Sequence, residues 1–200
     1  MTQSAENNPG LIVLAAGGSG GHIFPAEALA RELVGRGLRV MLLTDRRGHV
    51  FGKGCEDVVV ERIDAATLGG GLVGKVKAVI SMARGYMQAR KLLKTLQPSV
   101  VVGFGGYPSV PGVLAAQHLG VATVLHEQNA ILGKANQLLS GKANQIATSL
   151  PKVAGLKPAA ESRVVMTGNP VRPAITALRD ASYCAPVDDD EFRIFVMGGS

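Results

Sequence analysis

The chain has little cysteine, no long apolar run, and one long stretch with no acid in it. Its 200 residues hold two cysteines, Cys55 and Cys184, and neither has metal-ligand spacing around it. A disulfide framework is not expected, and a reducing cytosol fits best. No apolar run approaches the roughly 20 residues that a membrane span needs. The first ten residues are polar and lack the basic start and apolar stretch of a signal peptide. The expectation is a cytosolic protein, free to rest on a membrane surface. Between Asp64 and Glu127 there is no acidic residue, yet Lys75, Lys77, Arg84, Arg90, Lys91 and Lys94 fall there. Those six equal the whole net charge of +6. So local an excess implies an anionic partner: nucleic acid, a phosphate-bearing substrate or anionic lipid.

What is present is apolar and glycine-rich. Hydrophobic residues make up 46% and charged residues 18%, which suits a globular chain with a substantial core. Most of the 26 glycines follow apolar runs, where backbone turns tightly or approaches a ligand. Short apolar runs at Leu11–Ala16, Leu38–Thr44, Val58–Ile63, Val100–Phe104 and Val121–Leu125 read as buried strands. Shorter strands follow near Ile146–Thr148 and Val164–Met166. Helical patterns alternate with them: Ala26–Gly35, opened by Pro25, then Lys75–Leu96, Val110–Leu119, Ile131–Leu139 and Val171–Arg179. This alternation predicts an α/β fold with a mostly parallel, Rossmann-like sheet. No repeat or low-complexity tract interrupts it. Residues 181–191, with Pro186 and the acidic run Asp188–Glu191, read as an interdomain linker or a solvated loop. Phe192–Met197 then reads as a new strand entering Gly198-Gly199-Ser200. The expected layout is a first domain over 1–180, a linker over 181–191, and the start of a second domain over 192–200.

Five segments carry candidate chemistry. Gly17-Gly18-Ser19-Gly20-Gly21-His22 joins the first strand to the first helix, where open α/β sheets bind ligands. Glycine there brings backbone N–H groups close to an anion, and the helix end adds favourable partial charge. A dinucleotide fingerprint fails because Ile23 stands where its third glycine belongs. A phosphate-binding loop at Gly48–Gly54 fails because Gly, not Ser or Thr, follows Lys53. His22 is either a base that takes a proton from a hydroxyl or a contact to phosphate or the helix end. Phe104-Gly105-Gly106-Tyr107-Pro108-Ser109 is a second such junction; two on neighbouring strands make a cradle large enough for a diphosphate, unless the glycines only turn the chain. In His126-Glu127-Gln128-Asn129, Glu127 either orients His22 or another basic group, or belongs to a helix start capped by Asn129. In Gly168-Asn169-Pro170-Val171-Arg172, Arg172 pairs with a phosphate or carboxylate, or sits in a surface salt bridge. Finally, Leu72, Val73, Val76, Val79, Ile80 and Met82 interleave with Lys75, Lys77 and Arg84. Exposed, they form a basic amphipathic surface for anionic lipid; buried, an ordinary core helix.

In this order and spacing, the motifs resemble those of the bacterial lipid-intermediate II synthases, the UDP-N-acetylglucosamine:undecaprenyl-pyrophosphoryl-muramoyl-pentapeptide N-acetylglucosaminyltransferases. The resemblance runs along nearly the whole chain. Ser19 stands where threonine is common, and GGYPSVPG over Gly105–Gly112 departs from the usual GGYVSGP at Pro108 and Val110. HEQN and GNPVR are the more distinctive matches, and Gly198–Ser200 is similar to the start of a third loop. The resemblance implies the N-terminal part of a two-domain, GT-B transferase that inverts the anomeric carbon. By that likeness Ser19, Gly20, Gly21, Asn129, Arg172 and Ser200 contact the donor, UDP-N-acetylglucosamine. His22 is a base candidate, and Gly18, Gly105, Gly106 and Tyr107 hold the acceptor diphosphate. It also implies peripheral attachment at the cytoplasmic face of the cell membrane, through the segment Leu72–Tyr86. Neither a resident cofactor nor a metal is expected, nor a nucleic-acid partner. Without a donor domain, these 200 residues are expected to be inactive alone. The alternative expectation is a non-catalytic acceptor-binding or membrane-recruiting module working with a separate donor-binding chain. A dehydrogenase is the more distant alternative.

Overall fold

The computed structural model describes residues 10–46, 55–66, 71–182, 185 and 194. Strands β1 (Ile12–Ala15), β2 (Val40–Thr44), β3 (Val59–Arg62), β4 (Val100–Gly103), β5 (Ala122–Glu127), β6 (Gln145–Thr148) and β7 (Val164–Met166) form one sheet. Its order is β3-β2-β1-β4-β5-β6-β7, and every pairing between neighbours is parallel. The helices are α1 (Gly20–Gly35), α2 (Leu72–Leu96), α3 (Ser109–His118), α4 (Lys134–Leu139), α5 (Pro158–Glu161) and α6 (Pro173–Thr176).

The expected α/β class and Rossmann-like sheet are present. Parallel strands need crossovers, and helices on both faces leave the central strands buried on both sides. Val13, Leu14 and Ala15 of β1 are fully buried, split between two apolar clusters. One cluster takes in Ala89, Leu93, Val113 and Ala116 of α2 and α3; the other takes in Ile23, Ala26 and Ala30 of α1. The chain runs β1, β2, β3 toward one edge, then returns through α2 to place β4 on the other side of β1. The gap between the ends of β1 and β4 is therefore the topological switch point, where such sheets bind ligands.

Several boundaries differ from the sequence reading. Helix α1 begins at Gly20, five residues before Pro25, because the glycine loop turns directly into helix, with the Ser19 carbonyl accepting from the His22 and Ile23 N–H groups. Pro25 lies inside the helix, and His22 is in its first turn. Strand β5 continues to Glu127, so His126 and Glu127 are strand residues. Helix α4 starts only at Lys134 with Gly133 as its N-cap, and Asn129 caps nothing. Helix α6 is shorter than expected, and α5 has no counterpart in the sequence pattern. Most of 181–191, and all of 192–200 but Ile194, lie outside the described residues, and so does Ser200.

Helix α2 is the element whose orientation the sequence leaves most open. It packs through small residues, with Ala78, Gly85 and Ala89 buried along with Leu93. A Cβ on Gly85 would fall 1.7 Å from the Asp64 carbonyl oxygen, so the helix backbone lies directly on the 63–66 segment. Apart from Met82, which packs against the core, the large apolar side chains of its first half point the other way. Leu72 is 80% exposed and Val73 69%, and Val76, Val79 and Ile80 are exposed beside Lys75, Lys77 and Arg84. The core-helix alternative is excluded for this half. Among the described residues no helix is long and apolar enough to cross a membrane.

Candidate active site

The two glycine loops meet at one imidazole. After β4 the chain passes through Gly105 (φ +85°) and Gly106 (φ +71°), a left-handed pair that side-chain-bearing residues rarely adopt. A Cβ on Gly105 would lie 3.2 Å from His22 Cε1, and one on Gly106 would lie 2.9 Å from the Gly17 carbonyl oxygen and 3.1 Å from His22 Cδ2. The absence of both side chains lets the second loop close over the ring. Pro108, one of the two departures from the family pattern, packs where a Gly17 side chain would be, with its Cβ 2.7 Å from that position. The loops are thus fitted to each other.

The amides of Gly20 and Gly21 are among the first of α1, which have no intrahelical partner and carry the positive end of the helix dipole. Ser19, the N-cap, makes no side-chain capping bond and is exposed, so its hydroxyl is available at the same mouth. Gly18 turns at φ +89°. Tyr107 is half-buried beside this opening. The sequence-derived donor and diphosphate residues of the two loops are therefore neighbours.

His22 Nδ1 donates to the Phe104 carbonyl at 2.8 Å, with Gln128 Oε1 at 3.3 Å. Both partners are acceptors, so Nδ1 carries the hydrogen and the neutral ring has a bare Nε2. Glu127 does not orient His22, which corrects the expectation from sequence. Its carboxylate, 1% exposed, accepts from the Asn129 backbone N–H and side-chain Nδ2, from Gly133 N–H and from Asn136 Nδ2, all at 2.9–3.1 Å. A buried carboxylate with four donors is a brace that fixes the loop from β5 to α4. The side chain that reaches His22 is Gln128. The sequence gives no reason to single it out, because a glutamine has no titratable signature; Asn136, ten residues from His126, gives no signal at all.

His126 is buried behind this layer. Burial pushes its imidazole below the ordinary 6.5, against smaller opposing effects from the Gly168 carbonyl and the Glu127 charge. The unfolded chain therefore binds the proton first as pH falls. The stability contributed by neutral His126 is complete above about pH 6.5 and is lost as pH drops through the folded value. Thermal midpoints should fall between about pH 7 and about pH 5, and His126→Gln should flatten that slope. An equal slope in the variant would show that His126 is not held neutral.

Arg172 makes no ion pair among the described residues; its guanidinium stacks 4.2 Å above the Phe24 ring of α1. The surface salt bridge weighed from sequence is replaced by a cation–π contact. Asn129 is exposed, one residue beyond Gln128. Among the described residues no three His, Cys, Asp or Glu side chains gather as a metal-holding group.

The geometry has clear relatives. Residues 12–148 match the glycosyltransferase family 28 N-terminal domain. A UDP-N-acetylglucosamine–N-acetylmuramyl-(pentapeptide) pyrophosphoryl-undecaprenol N-acetylglucosamine transferase from Rhodospirillum centenum is 55% identical over 94% of this chain and 50% of its own length. Its namesake from Rhodospirillum rubrum is 48% identical over 97% of the chain and 50% of its own length. The crystal structure of Acinetobacter baumannii MurG superposes with a TM-score of 0.65 at 30% identity, over 82% of this chain and 46% of that one. The chain spans about half the length of the curated relatives it matches. With the family model covering the sheet from β1 to β6 and both glycine loops, the chain belongs to glycosyltransferase family 28, whose N-terminal domain it carries.

Proposed function

We propose that this chain forms the acceptor side of an inverting N-acetylglucosaminyltransferase of peptidoglycan synthesis. The reaction moves N-acetylglucosamine from UDP-N-acetylglucosamine to the muramoyl 4-hydroxyl of an undecaprenyl-diphosphate-linked muramoyl-pentapeptide. The observation that carries the reading is the closure of both glycine loops on His22 at the switch point. The names of relatives matching 94–97% of the chain support the substrates, and they do not favour a non-catalytic module.

The chemistry rests on the groups present. The acceptor oxygen attacks the anomeric carbon while the bond from that carbon to the UDP oxygen breaks, which inverts the centre. The hydroxyl proton passes to His22 Nε2, and the leaving diphosphate takes the bonding pair. Backbone amides at the start of α1 and the dipole behind them face that charge. Ser19, Gly20, Gly21, Asn129 and Arg172 serve the donor; Gly18, Gly105, Gly106 and Tyr107 cradle the acceptor diphosphate. Transfer of labelled N-acetylglucosamine to the lipid-linked acceptor by the intact protein tests the reading. Labelled sugar released only to water would refute it.

The outward-facing half of α2 supplies the membrane contact at the cytoplasmic face. Apolar side chains enter the headgroup region while Lys75, Lys77 and Arg84 meet anionic lipid, each charge worth about 1 kcal/mol near the surface. The Val76→Glu, Val79→Glu pair should abolish sedimentation with phosphatidylglycerol vesicles, and about 0.5 M salt should weaken the wild type. Equal sedimentation of variant and wild type would place the contact elsewhere.

A further inference from the structure

Behind His22, hydrogen bonds run without a break from the loop after β7 to the loop after β4. His126 Nε2 lies 3.2 Å from the Gly168 carbonyl, which can only accept, so Nε2 bears the hydrogen. Nδ1 of the neutral ring is then an acceptor, and Gln128 Nε2 lies 2.9 Å from it. The same amide nitrogen donates to the Phe104 carbonyl at 3.1 Å, and the His126 carbonyl lies 3.3 Å away. Gln128 Oε1 is left facing His22 Nδ1–H.

The orientation of this amide is forced. Turned over, its oxygen would face the Phe104 and His126 carbonyls and the lone pair of His126 Nδ1. Relief would need a second proton on His126, which is 4% exposed and would become a buried cation. Each neighbour therefore selects the same placement: nitrogen toward His126 and Phe104, oxygen toward His22. The 168–172 segment touches this layer twice, through the Gly168 carbonyl and through Arg172 on Phe24, two residues along α1 from His22.

We propose that Gln128 is a positioning residue for His22: its amide, set by His126 and Gly168, keeps Nδ1–H of His22 on the Phe104 side, so that the bare Nε2 faces the glycine loops. The Phe104 carbonyl alone would hold Nδ1–H by a single bond, leaving the ring free to swing off it and exchange its tautomer. The amide oxygen makes the second point of attachment. It is the role that an orienting carboxylate plays for a catalytic imidazole, filled here by neutral groups.

The proposal rests on His22 as the base, and it is tested on both counts. Long-range proton–nitrogen correlation spectra of the histidine-labelled chain should show His22 protonated at Nδ1 only and His126 at Nε2 only. Gln128→Met removes the polar end while keeping the length; His22 should then give averaged ring-nitrogen signals. Gln128→Glu puts an acceptor against His126 Nδ1 and should add a proton there. In the intact enzyme Gln128→Met should lower kcat about ten-fold or more, with the donor KM within about two-fold. A single, unchanged His22 tautomer in both variants overturns the positioning role, whatever the kinetics. Unchanged turnover in His22→Ala instead removes the base, and with it the catalytic consequence of the proposal, while the ring-nitrogen spectra of the Gln128 variants still decide the positioning role.

Discussion

Replacing His22 with alanine should lower turnover by about 10²- to 10⁴-fold, the range a positioned general base contributes. Donor affinity should change far less. The ring contacts the second loop at Gly105 and Gly106 and bonds to the Phe104 carbonyl, away from the α1 amides proposed to meet the donor. A variant that loses donor binding in proportion to turnover would identify the ring as a binding group. One with wild-type turnover would leave proton removal to another group or to water. His22→Gln makes a useful companion, since its amide can keep the Phe104 contact without accepting a proton as readily.

The second large effect is on stability. Glu127→Ala should lower the denaturant midpoint sharply, by about 3–5 kcal/mol of unfolding free energy. The buried carboxylate satisfies two backbone N–H groups and two side-chain amides, those of Asn129 and Gly133 at the surface and that of Asn136 inside. Removing it strands the buried Asn136 amide at a cost of about 1–3 kcal/mol, empties a packed site, and leaves the β5–α4 loop without its tie. In a chain of this size that is a fall of roughly 10 °C in thermal midpoint. Glu127→Gln should be nearly as harmful, because half of the new amide points a donor at donors. A midpoint within about 1 kcal/mol of wild type would mean that water enters the β5–α4 loop and that Glu127 is not its brace.

These two residues also mark how far sequence carries. The strands are legible because a parallel sheet buried on both faces needs continuous apolar runs, and Leu11–Ala16 and Val100–Phe104 are such runs. The glycine loops are legible for the same reason, since each sits at the carboxyl end of a buried strand in an α/β unit. The end of β5 is not. His126 and Glu127 are polar, and hydropathy gives no sign that Asn129, Gly133 and Asn136 will satisfy them in place. The start of α1 is hidden by glycine's low helix propensity, with Pro25 offering a false first turn. Helix α2 leaves both orientations open because its composition is amphipathic either way. What decides is backbone proximity: the helix lies on the Asp64 carbonyl at Gly85, with Ala78 and Ala89 buried on the same side, and this turns Leu72, Val73, Val76, Val79 and Ile80 outward while Met82 and Leu93 pack on the core. The link from Gly168 to Gln128 joins residues far apart in the chain, and no local pattern announces it.

The strand order has a consequence for how the site comes into being. Its two halves hang from β1 and β4, where Ile12 pairs with Val100, while β2, β3 and α2 all lie between them in the chain. That pairing closes a long loop before it gains any contact, so it belongs among the slow events of refolding. Secondary structure should recover early after dilution from denaturant, and a fluorescent nucleotide-sugar analogue should be captured only in a later phase. A substrate group bridging Gly20 and Gly106 would then act as a late fastener, slowing unfolding without hastening the collapse that precedes it.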